Sequence, residues 1–346
     1  MLRKDSAATP LRPGVVSTPW RRAAVAFGCV AASTLALLCP SRAQAEPSGL
    51  PPEVGYNYGD IETARIAAMG GGLRALSNST SALFQNPANM ALTRIYHVTA
   101  FGQIWPQARR QSYGAAAVDS IVSSTGLAGG IGGTWSQQDP DGVDRQYNDI
   151  RLALAMPFAD TLFVGLGGRL LSLSEDGPGP LEPPRSRVSG GLQNERILNA
   201  FTFDAGVTLR PVPELALSIV GQNLTDTGLG YAPLILGAGA GYGTKDFSIE
   251  ADLVLDTTTW DETTLRANGG AELLLAGRVN ARAGYRWDQG AESHAVSAGV
   301  AYVDQRFSLD AAVRQTVSGD SATSVVFGFT LHVEASGLTP TQATEF

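Results

Sequence analysis

From Ile95 to Val333 apolar and polar residues alternate in runs of about ten to fifteen, separated by turn-rich breaks, the pattern of strands that cross a membrane as a β-barrel. Fourteen runs can be read, over 95–106, 110–123, 127–138, 146–157, 160–175, 196–210, 213–223, 231–243, 245–256, 263–275, 277–288, 293–304, 306–318 and 322–333. A period of two sends successive side chains to opposite faces. Phe247, Ile249, Ala251, Leu253 and Leu255 thus form an oily face, and Ser248, Glu250, Asp252, Val254 and Asp256 an acidic one. Val279, Ala281, Ala283, Tyr285 and Trp287 alternate likewise with Arg278, Asn280, Arg282, Gly284 and Arg286, as do Phe307, Leu309, Ala311 and Val313 with Ser308, Asp310, Ala312 and Arg314.

A lipid-facing arginine near the bilayer midplane costs about 2–4 kcal/mol. Asp149, Arg151, Arg169, Asp204, Glu250, Asp252, Arg266, Glu272, Arg282, Arg286, Asp310 and Arg314 are therefore expected to point inward, where opposite signs can pair across neighbouring strands. A soluble β-sandwich also alternates, but it buries large side chains on its apolar face. Here the oily faces mix Ala and Gly with Leu and Val, and Trp105, Trp135, Tyr147, Tyr285, Trp287 and Tyr302 fall near strand ends, as interfacial girdles do.

Connection lengths supply a second test, because outer-membrane barrels have short periplasmic turns and long outer loops. Counted from a periplasmic N-terminus, the even connections are tight, at 124–126, 158–159, 211–212, 244, 276 and 304–305. The odd ones, 138–145, 175–195, 224–230, 257–262, 288–292 and 319–321, are polar and mostly longer, with 106–109 a short exception. The architecture expected is all-β: an antiparallel outer-membrane barrel of about 14 strands over residues 95–333.

The stretch 64–92 breaks the alternation. Asn78 to Ser81 offer side-chain oxygens that can cap a short helix through Ala82, Leu83 and Phe84, and Pro87 drives Asn86 out of the α region, so the helix stops there. Gly70, Gly71 and Gly72 permit a sharp bend or a close approach to a wall. Met69-Gly70-Gly71-Gly72 followed by Ala82-Leu83-Phe84-Gln85-Asn86-Pro87-Ala88 resembles the N-terminal hatch of the FadL-like long-chain fatty-acid transporters of the outer membrane; the PorV-like barrels of type IX secretion are similar here. The resemblance implies a hatch over 46–94, with its short helix inside the lumen and Gly70, Gly71, Gly72, Phe84, Asn86, Pro87 and Ala88 as its motif. It leaves open whether Asn86 only stops the helix or also bonds the hatch to the barrel wall. Where the family commonly has an acidic residue before its Ala-x-Phe, this chain has Asn78, Ser79, Thr80 and Ser81. In the last strand the spacing of Gly328, Leu331 and Val333 resembles the signal read by the barrel-assembly machinery, although residues 334–346 follow it as an expected periplasmic tail.

Arg21 and Arg22, an uncharged run from Ala23 to Leu38 and Ala43-Gln44-Ala45 together predict a cleaved signal peptide over 1–45. Cys29 and Cys39 both lie in it, so the mature chain has no thiol for a disulfide or zinc site. Without residues 1–45 the chain holds 19 basic and 31 acidic residues, a net charge of −12, which argues against a nucleic-acid partner. All of those basic residues except Lys245 are arginine, suited to fixed pairing with carboxylates. His97, His294 and His332 lack any accompanying nucleophile motif, so no catalytic residue is assigned. Asp139-Pro140-Asp141-Gly142 lacks the spacing and closing Glu of a calcium loop, and neither a metal nor a cofactor is expected.

The resemblance implies uptake of a hydrophobic small molecule, of fatty-acid or hydrocarbon type, past the hatch and through a lateral wall opening, by a barrel set among outer-membrane lipids. The alternative is a non-transporting PorV-like barrel that anchors or presents a secreted-protein partner. The single long connection, 175–195, is poor in large apolar residues, unlike the capture groove of fatty-acid transporters. In either case the protein should fractionate with the outer membrane of a Gram-negative cell and run as a heat-modifiable band on unboiled gels. Recovery as a soluble periplasmic protein would overturn the barrel reading.

Overall fold

The computed structural model describes residues 62–107, 109–138, 144–176, 196–228, 230, 232–260, 262–319 and 321–333. The expected signal peptide, the first part of the 46–94 segment, most of 175–195 and the 334–346 tail lie outside them. Among the described residues fourteen strands close into one antiparallel barrel, each paired with its sequence neighbour and the last with the first. They are β1 (Tyr96–Trp105), β2 (Arg110–Asp119), β3 (Ala128–Gln138), β4 (Asp144–Ala159), β5 (Leu162–Asp176), β6 (Arg196–Val212), β7 (Leu215–Gln222), β8 (Ile235–Gly243), β9 (Phe247–Asp256), β10 (Thr264–Leu275), β11 (Val279–Asp288), β12 (Ser293–Val303), β13 (Phe307–Ser318) and β14 (Thr323–His332). The seam between β1 and β14 runs in unbroken register from His97↔His332 to Ile104↔Val325. Closure leaves no unpaired edge, which a bilayer would penalise for every unsatisfied backbone group.

Sidedness follows the alternation. Along β9 the odd-numbered residues are exposed and the even-numbered ones buried. Arg151 is 2 % exposed, whereas its neighbours Ile150 and Leu152 are 53 % and 60 % exposed. Such an apolar exterior around a polar interior is the arrangement of a membrane-spanning barrel. Two expected girdle aromatics are corrected. Trp105 and Tyr147 are buried and face inward, because Trp105 shares parity with Phe101 and Gln103, and Tyr147 with Asp149 and Arg151. Tyr113 and Trp135, by contrast, stack on neighbouring strands with ring centroids 6.0 Å apart, and Tyr113 is exposed.

Connections at one end are tight, at 160–161, 213–214, 244–246, 276–278 and 304–306. The longer 223–234 and 257–263 lie at the other end. Parity is imperfect, since 120–127 at the tight end exceeds 106–109 and 289–292 at the opposite end. The ladder shifts register at Pro157/Ala159, Leu173/Ser174, Leu209/Val212 and His294/Ala295. None of these shifts lies in β1–β3.

Residues 62–92 lie within the ring. Helix α1 (Ala64–Ala68), absent from the sequence expectation, starts at Thr63, whose Oγ1 accepts from the Ile66 N–H at 3.5 Å. Helix α2 (Ser79–Gln85) is longer than expected, and a 3-10 helix (Pro87–Ala91) follows it. Asn78 occupies the N-cap position of α2 without capping it; its Oδ1 accepts instead from Arg65 Nη1 at 2.6 Å. α1 packs against β11–β14, α2 against β1–β4 and the 3-10 helix against β3–β6. An apolar cluster lies at the interface so formed, with Ile66, Met69, Leu73, Leu83, Phe84 and Met90 meeting Phe101, Ala116 and Val118.

Sidedness can be tested one residue at a time on β11. A lipid-soluble thiol probe should label Ala283→Cys, which is exposed, and spare Arg282→Cys, which is buried. The reverse labelling would mean that the strand is shifted by one residue.

Candidate functional site

The bend after α1 requires two of its three glycines to be left-handed. Gly70 has φ +70° and Gly71 φ +84°. A Cβ on Gly70 would come 2.5 Å from Tyr285 O and 2.8 Å from Tyr285 N, and one on Gly71 would strike the Arg286 guanidinium. Gly72 is not left-handed; it passes close to Asn268 and Asp252. The wall is bare where the chain crosses it: a Cβ at Gly270 would lie 2.8 Å from Met69 Cα, and Cβ atoms at Gly165 and Gly206 would collide with Ala88 and Asn86. The segment and its seat are therefore complementary at the level of backbone contact.

Asn86 takes both roles left open by the sequence. Its backbone is extended before Pro87, at φ −154°, and its Oδ1 accepts from the Ala88 N–H at 3.1 Å, capping the 3-10 helix. Its Nδ2 donates to Arg74 O at 2.8 Å and to Thr208 Oγ1 of the wall at 3.0 Å. Asn89 joins the same knot, donating to Arg74 O at 2.9 Å and accepting from Thr208 Oγ1 at 2.5 Å. Asn89 and Thr208 were not singled out by sequence; a second Asn three positions after Asn86 was the available signal. Phe84 lies edge-on to Phe101, with centroids 5.5 Å apart at 80°, and the Arg151 guanidinium sits 5.2 Å above its ring.

The charged candidates gather in four groups. In the first, Arg151 Nε reaches both Asp149 oxygens at 3.2 Å and Arg169 Nη2 reaches Asp149 Oδ2 at 2.5 Å. Asp204 stands 3.7 Å from Arg151 and 3.6 Å from Arg169, and Arg151 Nη1 also donates to Phe84 O at 3.0 Å. In the second, Glu272 bonds Arg282, which bonds Asp310 at 2.6 Å, and Arg65 of α1 completes the row with a 3.2 Å contact to Glu272.

The other two groups join wall to inner segment. Glu62 bridges Arg286, at 2.9 Å, and Arg314. Glu250 and Asp252 do not pair with wall arginines. Glu250 accepts from the Ala75 and Leu76 N–H groups at 2.6 and 2.9 Å, and Asp252 from the Arg74 N–H at 3.2 Å and Arg74 Nη1 at 3.3 Å. Arg266 pairs with Asp288, opposite it on β11, at 2.8 Å. Glu62, Arg65 and Arg74 are thus partners that strand alternation could not reveal.

Of the histidines, His97 Nδ1 meets Ser79 Oγ at 2.8 Å and its ring stacks on His332 at 4.4 Å, while His294 Nδ1 meets Tyr285 OH at 2.5 Å on the exposed face. In a hydrolytic triad a carboxylate or amide would orient the imidazole. Here the ring neighbour of His97 is another imidazole.

No protein-family model and no curated protein matches the chain. Solved structures do. CymD, a monoaromatic hydrocarbon channel, superposes with TM-score 0.62 at 14 % identity, covering 78 % of this chain and 97 % of its own. The Ralstonia pickettii toluene transporter TbuX gives 0.58 at 14 % identity, with 80 % and 99 % covered. A Pseudomonas aeruginosa FadL homologue gives 0.54 at 14 % identity, with 78 % and 98 % covered. The chain has the fold of FadL-type channels over nearly the whole length of each.

Asp149 is the keystone of the first group, since its loss would leave Arg151 and Arg169 with the more distant Asp204. Breaking such a buried pair typically costs about 3–5 kcal/mol. Asp149→Ala should lower the temperature at which the folded gel band disappears, and Asp149→Asn, which keeps one acceptor oxygen, should lower it less. Equal stability of wild type and Asp149→Ala would remove the group from any structural role.

Proposed function

We propose that this chain is an outer-membrane channel for uptake of hydrophobic small molecules, of fatty-acid or hydrocarbon type, with residues 46–94 acting as a hatch that gates the lumen. The observation that carries the reading is the inner segment itself, packed from β1 round to β14 inside a barrel whose fold is shared with hydrocarbon channels. An open aqueous pore is disfavoured by a lumen occupied in this way. The apolar cluster of Leu83, Phe84, Met90 and Phe101 offers an oily solute favourable contacts inside the barrel. In this reading the tight-turn end is periplasmic, the apolar belt meets outer-membrane lipids, and the last strand is what the barrel-assembly machinery reads.

A non-transporting barrel that anchors or presents secreted proteins is the second reading. What favours it is the number of polar fastenings on the inner segment, from Glu62 through Arg65, Arg74 and Asn86, which suit a permanent plug.

Deleting residues 64–92 separates the two. Planar-bilayer conductance for small ions should rise in both cases. Uptake of a labelled aromatic hydrocarbon or long-chain fatty acid should be present in wild type and lose its selectivity on deletion if the chain is a transporter, and should be absent from both proteins if it is a scaffold. Conductance unchanged by the deletion would show that the segment does not close the lumen, and the gated-channel reading would fall.

A further inference from the structure

The inner segment is fastened unevenly. From 62 to 76 charged groups hold it to β9–β13: Glu62 to Arg286 and Arg314, Arg65 to Glu272, Arg74 to Asp252, and the Ala75 and Leu76 N–H groups to Glu250. Ser297 adds bonds to Ala68 O at 2.8 Å and the Gly70 N–H at 3.0 Å. From 84 to 89 polar wall groups grip the backbone and amides: Phe84 O accepts from Arg151 at 3.0 Å and Gln222 at 2.9 Å, and Thr208 holds Asn86 and Asn89. Between these anchors, residues 77–83 face β1–β3. There, among the described residues, the polar wall contacts are Ser79 Oγ to His97 Nδ1 and Thr80 Oγ1 to Thr99 Oγ1, both 2.8 Å.

The remaining contacts on that side are apolar, and the wall beneath them is bare. A Cβ at Gly130 would lie 2.6 Å from Met90 Sδ, one at Gly132 2.9 Å from Leu83 Cδ2, and one at Gly114 would fall on the Phe101 ring. Side chains of the inner segment and Phe101, with Ala116 and Val118 of β2, fill this part of the lumen. If they shift, space opens directly against smooth strand backbone. An apolar solute entering there exchanges one set of apolar contacts for another, whereas opening the opposite side would strip buried charges of their partners. Met90 and Leu83 can change rotamer at little cost, and methionine is the side chain best able to do so.

We propose that the gate is the seam between residues 77–83 of the inner segment and strands β1–β3, that the Phe101 ring, edge-on to the anchored Phe84, is its constriction, and that the fastened stretches 62–76 and 84–89 are the frame that stays in place. On β1 the inward column Trp105, Gln103, Phe101, Thr99, His97 would then line the path of an apolar molecule from one mouth to the other. The proposal rests on the uptake reading above and says where the passage opens.

Two engineered disulfides test it, with Cys29 and Cys39 replaced by serine and folding checked by the heat-modifiable band. Thr80→Cys with Thr99→Cys pins the seam. Ala64→Cys with Gly328→Cys pins the frame, its Cβ atoms standing 3.9 Å apart, within the usual disulfide range. Oxidation of the 80/99 pair should cut uptake of a labelled aromatic hydrocarbon by about tenfold or more, reversibly with reductant, while oxidation of the 64/328 pair leaves it within about twofold. Uptake that survives full oxidation of the 80/99 pair, or that is blocked equally by both crosslinks, overturns the proposal. If the uncrosslinked protein takes up no hydrocarbon or fatty acid, it is the uptake reading that fails. Amide hydrogen exchange then decides the seam independently: residues 79–83 should exchange about tenfold faster than 66–72, and equal protection of the two stretches overturns the proposal.

Discussion

A charge turned into the lumen of a membrane barrel, packed away from water, must find an opposite charge or an oriented backbone dipole within bonding distance. That requirement orders this interior. Asp149 is shared by Arg151 and Arg169, Glu272 by Arg65 and Arg282, and Glu62 by Arg286 and Arg314. Glu250 is met by two backbone N–H groups of the inner segment. Arginine suits these positions because its planar fork reaches two acceptors at once, as Arg151 does with Asp149 and Phe84 O.

Such pairs add little net stability over an apolar interior, since desolvation offsets most of the attraction. Their effect is positional. Each wall charge accepts one arrangement of the chain that crosses the lumen, and the glycines of the wall let that chain approach the strand backbone closely. At Gly284 a Cβ would collide with Gly70 N, so segment and wall are fitted together at backbone level. A plug held in this way is ordered without covalent staples.

In the proposed reading, the passage opens where that order is weakest. Polar contacts with the wall are sparsest along residues 77–83, where, among the described residues, Ser79 and Thr80 each make one. Hydrophobic solutes and the apolar seam share one chemistry, so a barrel can remain closed to ions while yielding to an oily molecule. The comparison with hydrocarbon channels speaks for the fold over most of the chain.

Strand count and the approximate strand limits were legible in the sequence, because period-two alternation is local and the bilayer penalises every error in it. Even the inward turn of Tyr147 was written in its parity with Asp149; its place near a strand end suggested a girdle and misled. The bend at Gly70-Gly71 and the stop before Pro87 are likewise local backbone chemistry. What the tertiary structure alone decided is which groups meet. Arg65 and Glu272 are 207 positions apart, and Glu62 and Arg314 are 252 apart. No spacing along the chain encodes those pairs, since they exist only once the barrel has closed around the inner segment. Helix α1 was hidden for a related reason: five residues are too few to propagate a helix alone, and the packing of Ala64, Ala67 and Ala68 against Ala312 and Val326 of the wall sustains it.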